Sequence, residues 1–177
     1  MQWMGHLKTI NKHKFTVMKL CFRCGLYKQG LLHDLSKYSW VELRTGFKYY
    51  KGTYSPNSAE RNEKGYSEAW LHHKGRNKHH FEYWIDCVKG EWVGCKMPLK
   101  YVIEMFCDRV AASMTYKGKD FDCSSPMEYF NSHKHEYYLM HPETYALIEG
   151  LLLYLQEHGL DAAIDYIKKE ILPKGTY

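Results

Sequence analysis

Apolar residues recur along most of the chain at spacings of three and four, the mark of helices that each bury one face. Ile10, Val17, Leu20, Cys21 and Cys24 form such a stripe over residues 6–24, and Gly25 ends it. A short helix is expected over 27–35. Ser39 is placed to cap a third, running through Val41, Leu43 and Phe47 to Tyr50. Gly52, Ser55, Pro56, Asn57 and Ser58 make 51–58 read as a loop. The spacing predicts a helix over 67–73, stopped by Gly75 and an Arg76-Asn77 turn. It resumes over 79–88, with Phe81, Trp84, Ile85 and Val88 on one side. Pro98 stands near the first turn of a longer helix through Met114, which packs Val102, Phe106, Val110 and Ser113 inward. Pro126 and Pro142 each open one more helix, and a last one covers 160–172 after Gly159. No strand-like alternation bounded by a hairpin turn is found, and no internal repeat. The pattern therefore predicts an all-α helical bundle.

A length of 177 residues suits one domain, 1–177, with a sizeable core. The hydrophobic share of 45% and charged share of 25% are ordinary for a globular chain, whereas 11 histidines and 16 tyrosines are not. A net charge of +5 favours a small anionic substrate but is too small to argue for nucleic acid, and no basic track is present. The longest apolar stretch, 146–155, is broken by Glu149 and Gly150 and falls short of the roughly 18 residues a membrane span needs, so no membrane partner is expected. Six cysteines do not imply disulfides, because residues 1–20 carry no apolar secretory segment. Cys21, Cys87 and Cys107 fall in stretches that read as helix, where a free thiol is usually a small core residue. The expectation is a reduced, cytoplasmic protein. Cys21-Phe-Arg-Cys24 has zinc-like spacing but no second pair to complete four ligands.

The histidines are not scattered. His13 lies three residues after Ile10 and four before Val17, on the packed stripe of the first helix. Asp108 is three after Met105 and four before Ala112, again inward. His33-Asp34 sits between Leu31-Leu32 and Leu35, an apolar setting. One inward histidine is more often a hydrogen-bonded core residue than a ligand. A buried aspartate, however, needs a partner, and Arg109 projects elsewhere. A divalent cation resolves all four positions together, because neutral imidazole and carboxylate are its donors.

The ordered set His13, His33-Asp34, Asp108 resembles the signature of the HD-domain superfamily of metal-dependent phosphohydrolases. The resemblance covers residues 6–115, which it marks as the core, with C-terminal helices over 126–172 packed on it. It implies an HD-domain-like helical fold in which these four residues hold a divalent metal. Lys37 extends the likeness: His33-Asp34-Leu-Ser-Lys37 resembles a His-Asp-x-x-Lys form whose lysine lies beside the metal and meets an anionic substrate. Binuclear branches insert two further histidines before the last aspartate, and here His72-His73 and His79-His80 occupy that interval, closer together than in those branches. The stretch from Ala69-Trp70 to Trp84 also resembles a family of bacterial and phage proteins to which no activity is attached.

Adjacent helical residues point about 100° apart, so one ring of each pair should face the metal, and His73 and His80 are favoured. His72 and His79 are then outer partners, substrate contacts or surface residues. Arg76 and Asn77, between the pairs, are candidates to bind an anion, against the alternative of a solvated turn. His133, His135 and His141 lie outside the pattern and suit the surface or a pocket rim. Tyr49-Tyr50 and Tyr137-Tyr138 read as amphipathic packing. The cofactor expected is one or two divalent transition metals among Fe, Mn, Zn, Co and Ni. Three function classes follow. The first is hydrolysis of a phosphoester such as a nucleotide, with Asp34 and Lys37 at the reaction centre. The second is a di-iron oxygenase on the same ligands. The third is a nucleotide-binding module without turnover.

Overall fold

The computed structural model describes residues 2–52 and 54–177. Their order is α1 (Gln2–Cys24), α2 (Tyr27–Leu32), a 3-10 turn (Leu35–Tyr38), α3 (Trp40–Tyr49), α4 (Pro56–Lys64) and α5 (Glu68–Lys74). A second 3-10 turn (Phe81–Trp84) leads into a hairpin of β1 (Ile85–Val88) and β2 (Glu91–Gly94), followed by α6 (Leu99–Lys117), α7 (Ser125–Ser132) and α8 (Pro142–Tyr166). The chain is one mostly helical domain with a single two-stranded sheet among the described residues.

Helix α6 is the axis. Val102, Ile103, Phe106, Cys107 and Val110 are all but fully buried on it, facing Val17, Leu20, Cys21 and Cys24 of α1 and Ile148, Leu151, Leu152 and Leu155 of α8. Gly25 (φ 86°) terminates α1 as its sequence position implies, since a left-handed residue is needed there. Pro142 opens α8, and the His141 ring accepts from the Glu143 N–H at 3.2 Å. Gly159 (φ 80°, ψ 173°) breaks α8, so a new helical run does begin at Leu160. No described helix is long and apolar enough to cross a membrane.

Four sequence expectations change. The loop expected over 51–58 ends at Ser55, and α4 begins at Pro56. This helix was hidden because its buried position is not apolar: Glu60 is 1% exposed and accepts from Ser67 Oγ (2.8 Å), the Ala69 N–H (3.3 Å) and Lys64 (2.8 Å), tying α4 to α5. The helix expected over 79–88 is instead a 3-10 turn and the first hairpin strand. Lys89 (φ 53°) and Gly90 (φ 85°) both adopt positive φ, as a two-residue hairpin turn requires. Most of the hairpin is solvent-exposed, so no alternation marks it, and Cys87 lies on an exposed strand, not in a helix. Ser39 stands at the N-terminus of α3, yet its hydroxyl makes no cap bond. Finally, the helix expected over 27–35 stops at Leu32.

The hairpin is fastened at Gly94. A Cβ there would lie 1.9 Å from the Leu139 carbonyl oxygen and 2.8 Å from the His141 nitrogen, both backbone atoms that cannot swing aside. Gly94→Ala should therefore destabilise the fold by about 3 kcal/mol, the upper range for overpacking. Thermal denaturation should show the midpoint falling by about 6–12 °C.

Candidate metal centre

The break between α2 and the 3-10 turn builds the site. His33 is extended (φ −51°, ψ 128°) and Asp34 left-handed (φ 54°, ψ 27°), a conformation Asp tolerates better than most residues. Two consecutive side chains can then turn inward together, and both are buried, at 1% and 2% exposure. Lys14 secures the break, donating to the carbonyls of Leu31 (3.1 Å) and His33 (2.6 Å) at the C-terminus of α2. The apolar setting expected for the pair is inverted: Leu31, Leu32 and Leu35 are 55%, 52% and 49% exposed.

Around Asp34 the side chains fall into two groups that share it. The first is His13, His33, Asp34 and Asp108; the second is Asp34, His73, His79 and His80; each could hold a metal ion. Asp34 divides its oxygens between them. Oδ2 lies 3.4 Å from His33 Nε2 and 3.9 Å from His13 Nε2, while Oδ1 lies 3.3 Å from His73 Nε2 and 3.4 Å from His79 Nε2. Asp108 Oδ1 is 2.9 Å from His13 Nε2 and 3.5 Å from His33 Nε2. Two ligands each about 2.1 Å from one ion stand about 3.0 Å apart at a right angle and about 3.4 Å apart at the tetrahedral angle. Most of these separations fit that range. His33 Nε2, Asp34 Oδ1, His79 Nε2 and His80 Nε2 are buried and find no hydrogen-bond partner among the described residues. Four orphaned donors and acceptors gathered around Asp34 would be costly in a protein interior without an ion. The residues fit a divalent metal.

Behind the ligands stands a layer of carboxylates that sequence reasoning missed. Glu104 Oε1 accepts from His33 Nδ1 (3.0 Å) and His79 Nδ1 (3.2 Å), fixing the tautomer that leaves both Nε2 lone pairs free. Glu42 does the same for His73 (2.9 Å) and also holds His72 (2.8 Å). His33, His79 and Glu104 also form a group that could hold an ion, but Glu104 meets both rings at their Nδ1 atoms at hydrogen-bond distance, the geometry of a supporting contact. The signal for Glu104 was present: it precedes Asp108 by four residues and shares its helix face.

The electrostatics agree. Burial would raise the Asp34 carboxyl, but His33, Lys37 and His73 outweigh it and hold it well below the usual carboxylate range. Burial opposes ionisation of Asp108 too, and His13 and His33 again keep it low. Burial, then His79 and His73, push His80 well down, leaving a neutral ring. Lys37 stays a cation: Asp34 and Asp108 more than offset its burial, and its Nζ is 3.2 Å from Asp34 Oδ2.

Of the paired histidines, only His73 of the first pair faces inward, as the helical argument requires. Both members of the second pair do, His79 included, because this segment is not helical and His80 is extended (φ −89°, ψ 129°). Arg76 is exposed and bonds the His72 carbonyl (3.3 Å), away from the centre. Asn77 is buried and donates to Ser36 Oγ (2.8 Å) and the His73 carbonyl (2.8 Å), so it positions His73 and is not a solvated turn. His133, His135 and His141 lie outside both groups. Cavities meet at the centre: one of about 210 Å³ takes in His13, Asp34, Lys37 and Asp108, and one of about 810 Å³ shares Trp70, His80, Asp108 and Tyr116 with it. His6, which sequence reasoning also passed over, lines the smaller one; burial and then Lys37 push its imidazole down to about 4. Its ring occupies the place a Cβ on Gly46 would take, 1.8 Å from Nε2.

Glu104 gives a graded test of this layer. Glu104→Gln keeps an acceptor oxygen and should weaken metal binding a few-fold, whereas Glu104→Ala frees both rings and should weaken it about 100-fold. Competition against a chromogenic chelator would measure both, and equal affinities in the two variants would refute the orienting role.

Neither the curated proteins nor the solved structures provide a match. A family model does match, over residues 2–153, a span that contains every ligand candidate and both supporting glutamates. The chain therefore belongs to the family of unknown function DUF5662.

Proposed function

We propose that the protein is a metal-dependent phosphohydrolase with an HD-domain-like scaffold, acting on a small phosphoester such as a nucleotide. The observation that carries the reading is the division of Asp34 between two ligand groups, with Lys37 alongside. His13, His33, Asp34 and Asp108 would hold one cation, and Asp34, His73, His79 and His80 a second. Bound there, a divalent metal supplies Lewis acidity toward a phosphoryl oxygen and toward water.

The chain's own groups do the rest. Lys37 is a cation on the wall of the smaller cavity, 30% exposed, and neutralises charge that builds on phosphoryl oxygens. Asp34 anchors it and fixes its direction. His6, kept neutral, adds a polar wall without competing for the anion. Tyr50, Trp70 and Tyr116 line the cavity and offer it aromatic walls. The larger cavity offers room for the leaving part of the ester.

Protein loaded with manganese, iron or cobalt should cleave a generic aryl phosphoester or a member of a nucleotide panel, and lose that activity on chelation. Inactivity across the whole panel with metal bound would overturn the hydrolase. A second reading, an iron oxygenase on the same ligands, is favoured by the three imidazoles of the second group. It predicts a visible absorbance that differs between aerobic and anaerobic preparations, together with oxygen uptake. Tight nucleotide binding by the metal-loaded protein without turnover would point instead to a binding module.

A further inference from the structure

The first 33 residues hold six of the 25 lysines and arginines and none of the 20 acidic residues. The rest of the chain is thus nearly balanced, with 19 basic and 20 acidic side chains, and the whole positive excess lies in this segment. The first acid, Asp34, is buried beneath it. Lys8, Lys12, Phe15 and Lys19 stand at successive turns of α1, all exposed, on the side opposite the buried His6, Ile10, His13 and Val17. Arg23 and Lys14 are engaged elsewhere, on Asp161 and on the carbonyls of α2.

The same surface is apolar where it should not be. Turning His33 and Asp34 inward drives the leucines around them outward: Leu31, Leu32 and Leu35 are half-exposed, as are Phe15 (55%) on α1 and Tyr27 (63%) at the start of α2. This knob lies along the flank of α1 next to its lysine face. Tyr38 bonds Asn11 at 2.6 Å, Lys14 bonds Leu31, and the Phe22 and Tyr27 rings meet edge-on at 5.3 Å, pinning α2 and its 3-10 turn along α1. Contiguous exposed apolar side chains mark an interaction site. The charge selects the occupant. A second copy docked by its own equivalent face would set lysine against lysine. A nucleic acid offers phosphates to the lysines but little for protruding leucines. A surface that combines anionic headgroups with an apolar boundary satisfies both, as it does for basic helices carrying aromatic and leucine side chains.

We propose that this face docks the protein reversibly on an anionic lipid surface, with the leucine knob at the headgroup boundary and the lysines of α1 against the phosphates. Surface docking needs no spanning segment, and the inference is independent of the reaction at the metal centre.

Co-sedimentation of the full chain with phosphatidylglycerol vesicles tests it. Binding should be strong on these, weak on phosphatidylcholine vesicles, and reversed by salt. Lys8→Gln/Lys12→Gln/Lys19→Gln should weaken it about 100-fold, at roughly five-fold per lysine. Leu31→Ser/Leu35→Ser should weaken it about ten-fold or more while circular dichroism and metal content stay those of the wild type. No sedimentation with the anionic vesicles, equal binding to neutral ones, or unchanged binding by both variants would overturn the proposal. So would release by polyglutamate or duplex DNA at matched charge concentration, which would make an acidic macromolecule the occupant.

Discussion

Asp34→Asn should empty both halves of the metal centre at once. The two carboxylate oxygens of Asp34 face different histidine groups, and among the described residues this side chain is the ligand candidate common to both. Asparagine keeps the shape and tolerates the left-handed backbone at φ 54°, but it has lost the charge and one of the oxygens. Elemental analysis after loading with manganese or iron should find less than about a tenth of the wild-type metal, and phosphoester turnover should fall by at least about 1,000-fold. His73→Ala removes a ligand from one group only and should leave the other half filled. The metal-free Asp34→Asn protein should also be less stable, by about 3 kcal/mol, because the buried His33 and the partly exposed Lys37 lose their counter-charge. Wild-type metal content in Asp34→Asn would remove the basis of the metal assignment.

Lys37→Met should separate holding the metal from using it. Lys37 is within 3.2 Å of Asp34 Oδ2 but offers no lone pair to a cation, since Asp34 and Asp108 keep it protonated. Removing it takes away positive charge from the place where a phosphoryl group would gather negative charge. The expected result is a loss of about 100- to 1,000-fold in kcat with metal content unchanged or raised. The metal would bind more readily because a competing cation has left Asp34. Lys37→Arg should recover part of the rate, as the charge returns in a different shape. A rise in KM with kcat unchanged would show that Lys37 only attracts substrate, and loss of metal would show that its role is structural.

Much of the helical framework was legible because it rests on burial repeated with a fixed period. The stripes of α1 and α6 and the proline and glycine boundaries of α8 follow from spacing alone, and the structure has them where the pattern puts them. The failures have local causes. Helix α4 turns Glu60 inward, so a polar residue carries the burial that hydropathy looks for. The hairpin is open to solvent and its turn is Lys-Gly, not the Asn-Gly or Asp-Gly a reader seeks.

Within the candidate site, residue chemistry and chain order picked out His13, His33, Asp34, His73, His80 and Asp108, and the fold does gather them. The assumption that failed was geometric. A helical rule applied to His79-His80 allows one inward ring, whereas the extended backbone there admits two. Glu104 had a local signal in its shared helix face with Asp108, but its role, like that of Glu42, lies in partners 71 and 31 residues away.

The sequence by itself determined which residues can bind a cation and which faces of the helices are buried, because both depend on side-chain type and local period. Only the tertiary structure decided where each imidazole nitrogen points. That direction is set by the break at His33-Asp34 and by hydrogen bonds that the rings donate to carboxylates on α3 and α6, contacts between distant segments that no local pattern encodes.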